Sequence, residues 1–293
     1  MKTGLRQLVI VGDIGGHLGS LIAQLESVGV NVTARDIPRN LVVVQVGDLV
    51  HRGLDSAGVV RLVDQLMKAN PNRWVQLVGN HESQYLPLGT HFWSPEVDSD
   101  TQQILRRWWE TGQMKVAAAF ELQPSPTEPI AAIAIDTELL VTHAGLTIGA
   151  WDVIDRPVNA DDAAIQLNEA AQKLGVAWRS GLLITGEADI AAGPMWADGI
   201  EEVYAPWQAA AAAEGEIPAF AQTHGHTSPF VWARHGWNAD IAPLIQGGAQ
   251  VSVDEERKIC RIRLNGGQLF WAVDPRSAAT ANPVSRPLTL ACR

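Results

Sequence analysis

Short polar motifs recur along this chain in one order, and their side chains are of types that bind divalent metal ions. The motifs are Gly12-Asp13, Gly47-Asp48, Arg52-Gly53, Gly79-Asn80-His81-Glu82, Thr142-His143-Ala144-Gly145 and Gly225-His226-Thr227. A Gly-Asp or Gly-Asn pair alone is typical of a turn. Two carboxylates, an amide and two imidazoles together supply the mixed oxygen and nitrogen ligands that suit manganese, iron or zinc better than calcium. The ordered set therefore predicts a metal site.

Three of the motifs, those that begin at Gly12, Gly47 and Gly79, each end an apolar run. These runs are Leu8–Val11, Leu41–Val46 and Trp74–Val78. Continuous apolar runs of this length are typical of strands buried on both faces. Between them, apolar residues recur at helical spacing over Leu18–Val28 and Ser56–Ala69. The pattern predicts a β-α-β-α-β arrangement, and hence an α/β fold.

The strand ends predict where the polar side chains lie. In open sheets of this kind, ligands bind beyond the carboxyl ends of the strands. Asp13, Asp48 and Asn80 should therefore converge on one crevice. A further predicted strand, Leu139–Thr142, delivers His143 at its end in the same way.

Three stretches carry a resemblance to a known family: Asp48-Leu-Val-His-Arg52-Gly53, Asn80-His-Glu82 and His143-Ala-Gly-Leu146. They resemble the calcineurin-like metallophosphoesterase superfamily, in the branch of serine/threonine phosphoprotein phosphatases and symmetrical dinucleoside tetraphosphatases. Pro194-Met-Trp-Ala-Asp198 is similar to a further segment of that branch, and the resemblance spans about residues 8–230. It implies a sandwich of two mixed β-sheets flanked by α-helices and a metal-dependent phosphatase, a hydrolase of phosphoesters. It also places Trp196 near the substrate face.

The resemblance implies two divalent metal ions, with manganese expected first and iron or zinc as alternatives. Asp48 would be the catalytic carboxylate that bridges them, and Asp13 would belong to the first metal. Asn80, His143 and His226 would complete the shell of the second. Two such ions can hold a hydroxide that attacks phosphorus in line with the leaving group.

Two more residues have expected roles beside the metals. Arg52 lies four residues past Asp48, and its planar guanidinium matches two phosphate oxygens, so we expect a phosphate clamp. His81 follows Asn80 directly and should lie near the leaving-group oxygen. An imidazole with a near-neutral pKa can deliver a proton there, so His81 is the expected general acid.

The chain departs from the family pattern at two positions. Relatives usually have a histidine two residues after the first aspartate, whereas this chain has Gly15 there and His17 two positions later. His17, a water molecule or His224 could take the place of that ligand. His51 stands where many protein phosphatases have an aspartate that orients the catalytic histidine, and His51 could instead contact the substrate phosphate.

The rest of the chain is predicted to complete a single domain over residues 1–293, with the motifs inside 8–230 and a C-terminal β-hairpin over 257–273 completing a sheet. The hairpin turn is Asn265-Gly266-Gly267. A further strand is predicted over Ile130–Ile135, and helices are predicted over residues 98–120, 160–174 and 207–214.

Composition limits the classes of partner. The formal charge of −10 argues against general binding to nucleic acid, which requires Lys and Arg to neutralise phosphates. Asp13 interrupts the apolar run that follows Lys2 and Arg6, so we expect no signal peptide. No apolar segment reaches about 18 residues, so we expect no membrane span and a cytoplasmic protein. Cys260 and Cys292 have no metal-binding spacing.

Three functions remain open at this point. The first is a phosphatase for a phosphorylated small molecule or a phosphoprotein. The second is a dinucleoside polyphosphate hydrolase with the same metal ligands and a wall adapted to nucleosides. The third is a degenerate metal- or phosphate-binding regulatory protein with little catalysis.

Overall fold

The computed structural model describes residues 6–123, 138–214, 220–274 and 285–292. In chain order its strands are β1 (Arg6–Val11), β2 (Leu41–Gln45), β3 (Trp74–Leu77), β4 (Met114–Lys115), β5 (Ala117–Glu121), β6 (Glu138–Thr142), β7 (Ala221–His224), β8 (Phe230–Val231), β9 (Gly236–Trp237), β10 (Gln250–Asp254), β11 (Ile259–Arg263), β12 (Leu269–Ala272) and β13 (Leu288–Cys292). Its α-helices are α1 (Leu18–Ser27), α2 (Ser56–Ala69), α3 (Asn80–Ser83), α4 (Ser99–Glu110), α5 (Ile148–Val153), α6 (Ala160–Ala170), α7 (Leu182–Thr185), α8 (Ala205–Glu214) and α9 (Ala242–Gln246).

Within the described ranges, the strands form two large mixed sheets. The first has the order β13-β1-β2-β3-β4, in which β1 to β4 are parallel and β13 is antiparallel to β1. The second has the order β10-β11-β12-β7-β6-β5, in which β6, β7 and β12 are parallel to one another. Strands β8 and β9 form a small separate ribbon. The predicted two-sheet α/β sandwich is confirmed.

Alternate residues of the strands fill two different cores. Leu8 and Ile10 on β1 belong to a cluster that also contains Leu139 and Trp271 from the second sheet. Val9 and its alternating neighbours belong to the cluster that includes the helices. Because both faces of these strands are covered, their sequences are apolar throughout instead of alternating.

Most predicted elements are present, but two helices are shorter than expected. Helix α2 has the predicted bounds, whereas the predicted helix over 98–120 is wrong beyond Glu110. Gly112 has a left-handed conformation with φ 68°, which ends α-helices, and β4 and β5 follow it. The predicted helix over 160–174 ends at Ala170, because a turn begins there.

Two further predictions concern a strand and a β-hairpin. The predicted strand Ile130–Ile135 lies outside the described residues. The two strands of the predicted hairpin pair antiparallel as β11 and β12 within the second sheet. No helix among the described residues is both long and apolar enough to cross a membrane.

Candidate active site

Strand ends from both sheets meet at one place, and this brings the predicted metal ligands together. Asp13, Asp48 and Asn80 follow β1, β2 and β3, while His143 and His226 follow β6 and β7. Ligand atoms of Asp48, His143 and His226 all lie within 4.8 Å of one another. The two sheets therefore each contribute side chains to one cluster.

The amide of Asn80 is surrounded by groups that accept hydrogen bonds. The atom placed as Asn80 Oδ1 lies 3.1 Å from Asp48 Oδ1, 3.1 Å from His143 Nε2 and 3.2 Å from His226 Nδ1. An oxygen that faces a carboxylate and an imidazole lone pair is repelled unless a cation lies among them. Rotation of the amide to present its N–H groups would relieve this repulsion when no metal is bound. The donor set therefore fits a divalent metal ion.

His143 has the tautomer that a metal ligand requires. Its Nδ1 lies 2.9 Å from the backbone oxygen of Val46, so Nδ1–H donates and Nε2 keeps its lone pair. That Nε2 lies 3.4 Å from Asp48 Oδ1. Burial lowers the pKa of His143, which keeps the ring neutral and able to bind a metal.

Asp48 is held as a carboxylate. Burial acts to raise its pKa, but the positive charge that His143, His81 and His226 carry when protonated outweighs this and lowers the pKa to about 2. Its Oδ1 also accepts a hydrogen bond from the backbone N–H of His81 at 3.1 Å. The position therefore carries a negative charge at neutral pH.

Glu82 organises the loop that carries Asp48. Its carboxylate accepts backbone N–H groups from Asp48 (2.7 Å), Leu49 (2.8 Å), Gly79 (3.0 Å) and Val50 (3.2 Å). Burial, and next the charge of Asp48, raise the pKa of Glu82 to about 8. Four N–H donors nevertheless leave no acceptor for a carboxyl proton, so the geometry fits the ionised form. In the sequence, Glu82 is recognisable only as part of a motif.

Four residues of this region have left-handed backbone conformations, which residues other than glycine rarely adopt. The φ angles are 55° at Asp48, 72° at His51, 60° at Arg52 and 61° at His226. Such residues cost about 1–3 kcal/mol each and persist only where the surrounding structure fixes them. Their concentration here is typical of a functional site.

Asp13 lies beside the cluster among other carboxylates. Both its oxygens are 3.2 Å from the backbone nitrogen of His226, which donates to them. Burial raises its pKa well above the usual range, and the charges of Asp274 and Asp48 raise it further. Buried carboxylates that repel one another are stabilised by a cation.

Asp274 is a buried carboxylate that sequence analysis missed. It follows β12, which pairs parallel with β7 so that Ala272 lies opposite His224. The backbone N–H of Val273 continues this pairing by donating to the oxygen of His224 at 2.8 Å. Ligands bind beyond the carboxyl ends of parallel strands, and Asp274 directly follows the last strand of the predicted hairpin, so this pattern would have indicated Asp274.

Gly15, which replaces the histidine of relatives, has a left-handed conformation with φ 54°. The loop at Gly15 and Gly16 packs directly against Gly53, whose N–H donates to the oxygen of Gly15 at 2.6 Å. A side chain at Gly53 would begin 2.5 Å from the carbonyl carbon of Gly16. Close contact between these two loops therefore explains the glycines at positions 16 and 53, and the left-handed conformation favours glycine at position 15.

The two histidines considered as replacement ligands differ. His17 precedes α1, and its Nε2 is buried without a hydrogen-bond partner among the described residues. His224 uses both nitrogens: Nδ1–H donates to the oxygen of Gly225 at 2.8 Å, and Nε2 accepts from Tyr204 Oη at 2.5 Å. His224 is therefore not available to a metal in this arrangement.

His81 and Arg52 lie next to each other at the edge of the cluster. His81 Nε2 is 3.4 Å from Arg52 Nη2 and 3.9 Å from Asp48 Oδ2. Burial lowers the pKa of His81, while the charge of Asp48 opposes this shift. Arg52 is exposed, and its guanidinium lies 5.2 Å from the ring centre of Trp93. His51 does not face solvent, since its Nδ1 contacts His81 Nδ1 at 2.6 Å.

Aromatic side chains form a wall beside His81. The ring centres of Trp93 and Phe92 lie 4.8 Å and 5.0 Å from that of His81. Trp196, which the resemblance places near the substrate face, is buried and contacts Phe92 at a centre distance of 5.0 Å. No sequence motif indicates a role for residues 91–97.

Comparison with known proteins identifies the family. Residues 7–190 match the model of the calcineurin-like phosphoesterases. The chain therefore belongs to the calcineurin-like phosphoesterase family, as its motifs predicted. It is a hydrolase that acts on phosphoesters and depends on metal.

The solved structures to which this chain is similar include three at low identity. A cold-active protein-tyrosine phosphatase from Shewanella sp. is 17% identical, with a TM-score of 0.46, covering 91% of this chain and 80% of that one. A putative diadenosine tetraphosphatase is 18% identical, with a TM-score of 0.45, covering 100% and 96%. A protein serine/threonine phosphatase from Saccharomyces cerevisiae is 17% identical, with a TM-score of 0.42, covering 98% and 84%.

Proposed function

We propose that this protein is a phosphatase that hydrolyses phosphomonoesters with two divalent metal ions, of which manganese is the preferred kind. The convergence of Asp48, Asn80, His143 and His226 on one point carries this proposal. These four residues would hold one ion. Asp13 and Asp48 would hold the other, because the repulsion among the buried carboxylates favours a cation on that side.

The metals and the protein have separate tasks in this proposal. When bound, the ions generate a nucleophile from water at neutral pH and neutralise charge on the phosphate oxygens. Asp48 belongs to both proposed ligand sets, near His143 and His226 and also near Asp13, and keeps its negative charge, so it would bridge the ions. The neutral ring of His143 presents Nε2 while its Nδ1 stays fixed to Val46.

Arg52 and His81 would act on the substrate itself. The guanidinium of Arg52 is exposed beside the cluster, where its planar donors can bind two phosphate oxygens. His81 Nε2 lies between Arg52 and Asp48, within reach of a phosphate held there. A proton on that nitrogen would pass to the leaving-group oxygen as its bond to phosphorus breaks.

A dinucleoside polyphosphate hydrolase is the second candidate, and the aromatic wall favours it. Phe92 and Trp93 lie on the leaving-group side, next to His81. Nucleobases stack on aromatic side chains with about 1–3 kcal/mol per base. A nucleotide leaving group would therefore find a platform that a small alkyl group would not use.

Hydrolysis of p-nitrophenyl phosphate by metal-stripped protein, titrated with manganese, tests the proposal. We expect saturable turnover that Asp48→Asn abolishes and that the exposed control Asp240→Asn retains. Diadenosine tetraphosphate, assayed in parallel, separates the two candidates, since unchanged substrate would exclude the second. A folded protein without turnover on either substrate, with any divalent metal, would contradict both and favour a binding role.

A further inference from the structure

His51 and Tyr85 form a hydrogen-bonded arm that ends on His81. His51 Nδ1 lies 2.6 Å from His81 Nδ1, and His51 Nε2 lies 2.6 Å from Tyr85 Oη. The Tyr85 oxygen also accepts the backbone N–H of Val97 at 3.0 Å. His51 and Tyr85 are only 4% and 5% exposed, so water does not compete with these bonds.

The donor at the His81 end of the arm selects one arrangement of protons. Each neutral imidazole has one N–H and one lone pair. Arg52 Nη2, which can only donate, lies 3.4 Å from His81 Nε2, so that nitrogen presents its lone pair when the site is free. The single proton of neutral His81 is then on Nδ1 and is donated to His51 Nδ1. His51 must therefore carry its own proton on Nε2 and donate it to Tyr85.

The opposite arrangement disagrees with the function of a general acid. If Tyr85 donated to His51 Nε2, then His51 Nδ1–H would point at His81 Nδ1. His81 could not then be doubly protonated, because two N–H groups would face each other across 2.6 Å. In the selected arrangement, Nδ1–H of His81 keeps the same acceptor whether Nε2 carries a proton or has just released it.

We propose that His51, held by His81 at one ring nitrogen and by Tyr85 at the other, is the positioning residue that orients His81 for proton transfer to the leaving group. This inference rests on the proposed role of His81 as general acid. His51 accepts the hydrogen bond of His81 Nδ1–H with a neutral ring nitrogen, where an aspartate would accept it with a charged carboxylate. The proton on His81 Nε2 goes to the leaving-group oxygen as its bond to phosphorus breaks, and His81 remains neutral with Nδ1–H on His51.

Packing around the arm supports this assignment. The ring of His51 stacks on Trp93, with 5.9 Å between ring centres and 17° between planes. Arg106 Nε donates to the backbone oxygen of Tyr85 at 2.9 Å. Burial, and next the charges of His81 and Arg52, lower the pKa of His51 to about 4, so the ring stays a neutral acceptor.

Nitrogen NMR of the imidazoles in the metal-free protein tests the tautomers without any assay of activity. We expect a proton on His81 Nδ1 and on His51 Nε2, with the His51 signals assigned from their loss in His51→Asp. In Tyr85→Phe, we expect His51 to keep its proton on Nε2, because His81 Nδ1–H still donates to His51 Nδ1, but to lose the hydrogen bond at Nε2 that holds the ring in place. A wild-type protein with His81 protonated on Nε2 and His51 on Nδ1 would overturn the assignment.

Leaving-group dependence tests the effect on the reaction. We expect His51→Ala to lose roughly tenfold more activity on phenyl phosphate than on p-nitrophenyl phosphate, whose leaving group needs little protonation. His51→Asp supplies another acceptor and should recover the wild-type ratio of the two activities. Tyr204→Phe is the matched control, since Tyr204 forms the other buried Tyr–His bond of the described chain and should leave this ratio unchanged.

Equal losses of His51→Ala on both substrates would overturn the positioning role. If the wild-type protein hydrolysed neither phosphate, the proposed function would fail instead. In that case the tautomers measured by NMR would still decide whether His51 and Tyr85 fix His81.

Discussion

At the scale of single residues, the site is defined by groups that repel one another. Asn80 faces acceptors, and Asp13 is buried near two other carboxylates. In a metal-free protein these contacts oppose folding, whereas a bound cation makes each of them favourable. Function and stability therefore conflict at these positions.

Asp13→Asn should make the metal-free protein more stable. The pKa of Asp13 is raised in the folded state, so its charge at neutral pH costs free energy that an amide would not. We expect a gain of about 1–2 kcal/mol in urea denaturation with a chelator present. Added manganese should raise the free energy of unfolding of this variant by less than it raises that of the wild type. A less stable metal-free variant would show that Asp13 is already neutralised in another way.

At the scale of elements, buried carboxylates tie loops to the ends of strands and helices. Glu82 collects backbone N–H groups from the loop after β2, and Glu202 does the same for Leu182, Asp189 and Asp198. The loops thereby keep a fixed conformation without regular backbone pairing.

Glu82→Gln should loosen the loop that carries Asp48. An amide N–H₂ would face backbone N–H groups in place of an acceptor, at a cost of about 1–3 kcal/mol for each unsatisfied group. We expect lower stability in urea and weaker manganese binding by calorimetry. Glu202→Gln is the matched control, with a similar loss of stability and unchanged metal affinity. Wild-type stability in Glu82→Gln would mean that Glu82 is protonated in the native protein.

Helices α2 and α4 are joined through Asp64, which should make their packing sensitive to acid. Asp64 accepts from Trp108 Nε1 at 3.0 Å and from Lys68 Nζ at 2.6 Å, and it also pairs with Arg107. Burial opposes ionisation, but the bonds from Lys68 and Trp108 and the charge of Arg107 lower the pKa of Asp64 overall.

The sign of this effect follows from the lowered pKa. The contribution of Asp64 is present above its unfolded pKa of about 3.9 and disappears as the pH falls through the lower folded value. Asp64→Asn should therefore cost about 1–3 kcal/mol at pH 7 in urea denaturation and less at pH 3. A difference between the two proteins that grows toward pH 3 would contradict this assignment.

At the scale of the whole molecule, the metal ligands connect the two sheets. Asp13, Asp48 and Asn80 follow strands of the first sheet, and His143 and His226 follow strands of the second. A metal held by both sets binds the folded protein and not the separated sheets. Metal binding and folding should therefore be linked.

Manganese should raise the melting temperature, and a chelator should reverse the rise. At a free metal concentration one hundred times the dissociation constant, one site contributes about 2.7 kcal/mol. His143→Ala and Asp48→Asn should each remove most of this shift, whereas Asp240→Asn should keep it. Equal shifts in all four proteins would show that manganese binds elsewhere.

The sequence predicted those parts of the site that local patterns encode. Polar residues directly after apolar runs, such as Asp48 and His143, were placed correctly at strand ends because that rule depends on neighbouring residues alone. The partner of His51 could not be predicted, since Tyr85 is 34 residues away and reaches it only in the folded chain. The predicted helix over 98–120 was wrong beyond Glu110 because apolar residues there continue into short strands. The single domain over residues 1–293 stays a prediction.

The contact of Gly16 with Gly53 limits how this site can be altered. The loop after β1 carries Asp13, the loop after β2 carries Asp48 and Arg52, and the two glycines leave no gap between them. We therefore expect the two loops to shift only together. A change that widened the distance between Asp13 and Arg52, to admit a longer chain of phosphates, would have to rebuild both loops together. Adaptation to new substrates is expected instead on the opposite rim, in the aromatic wall of Phe92 and Trp93.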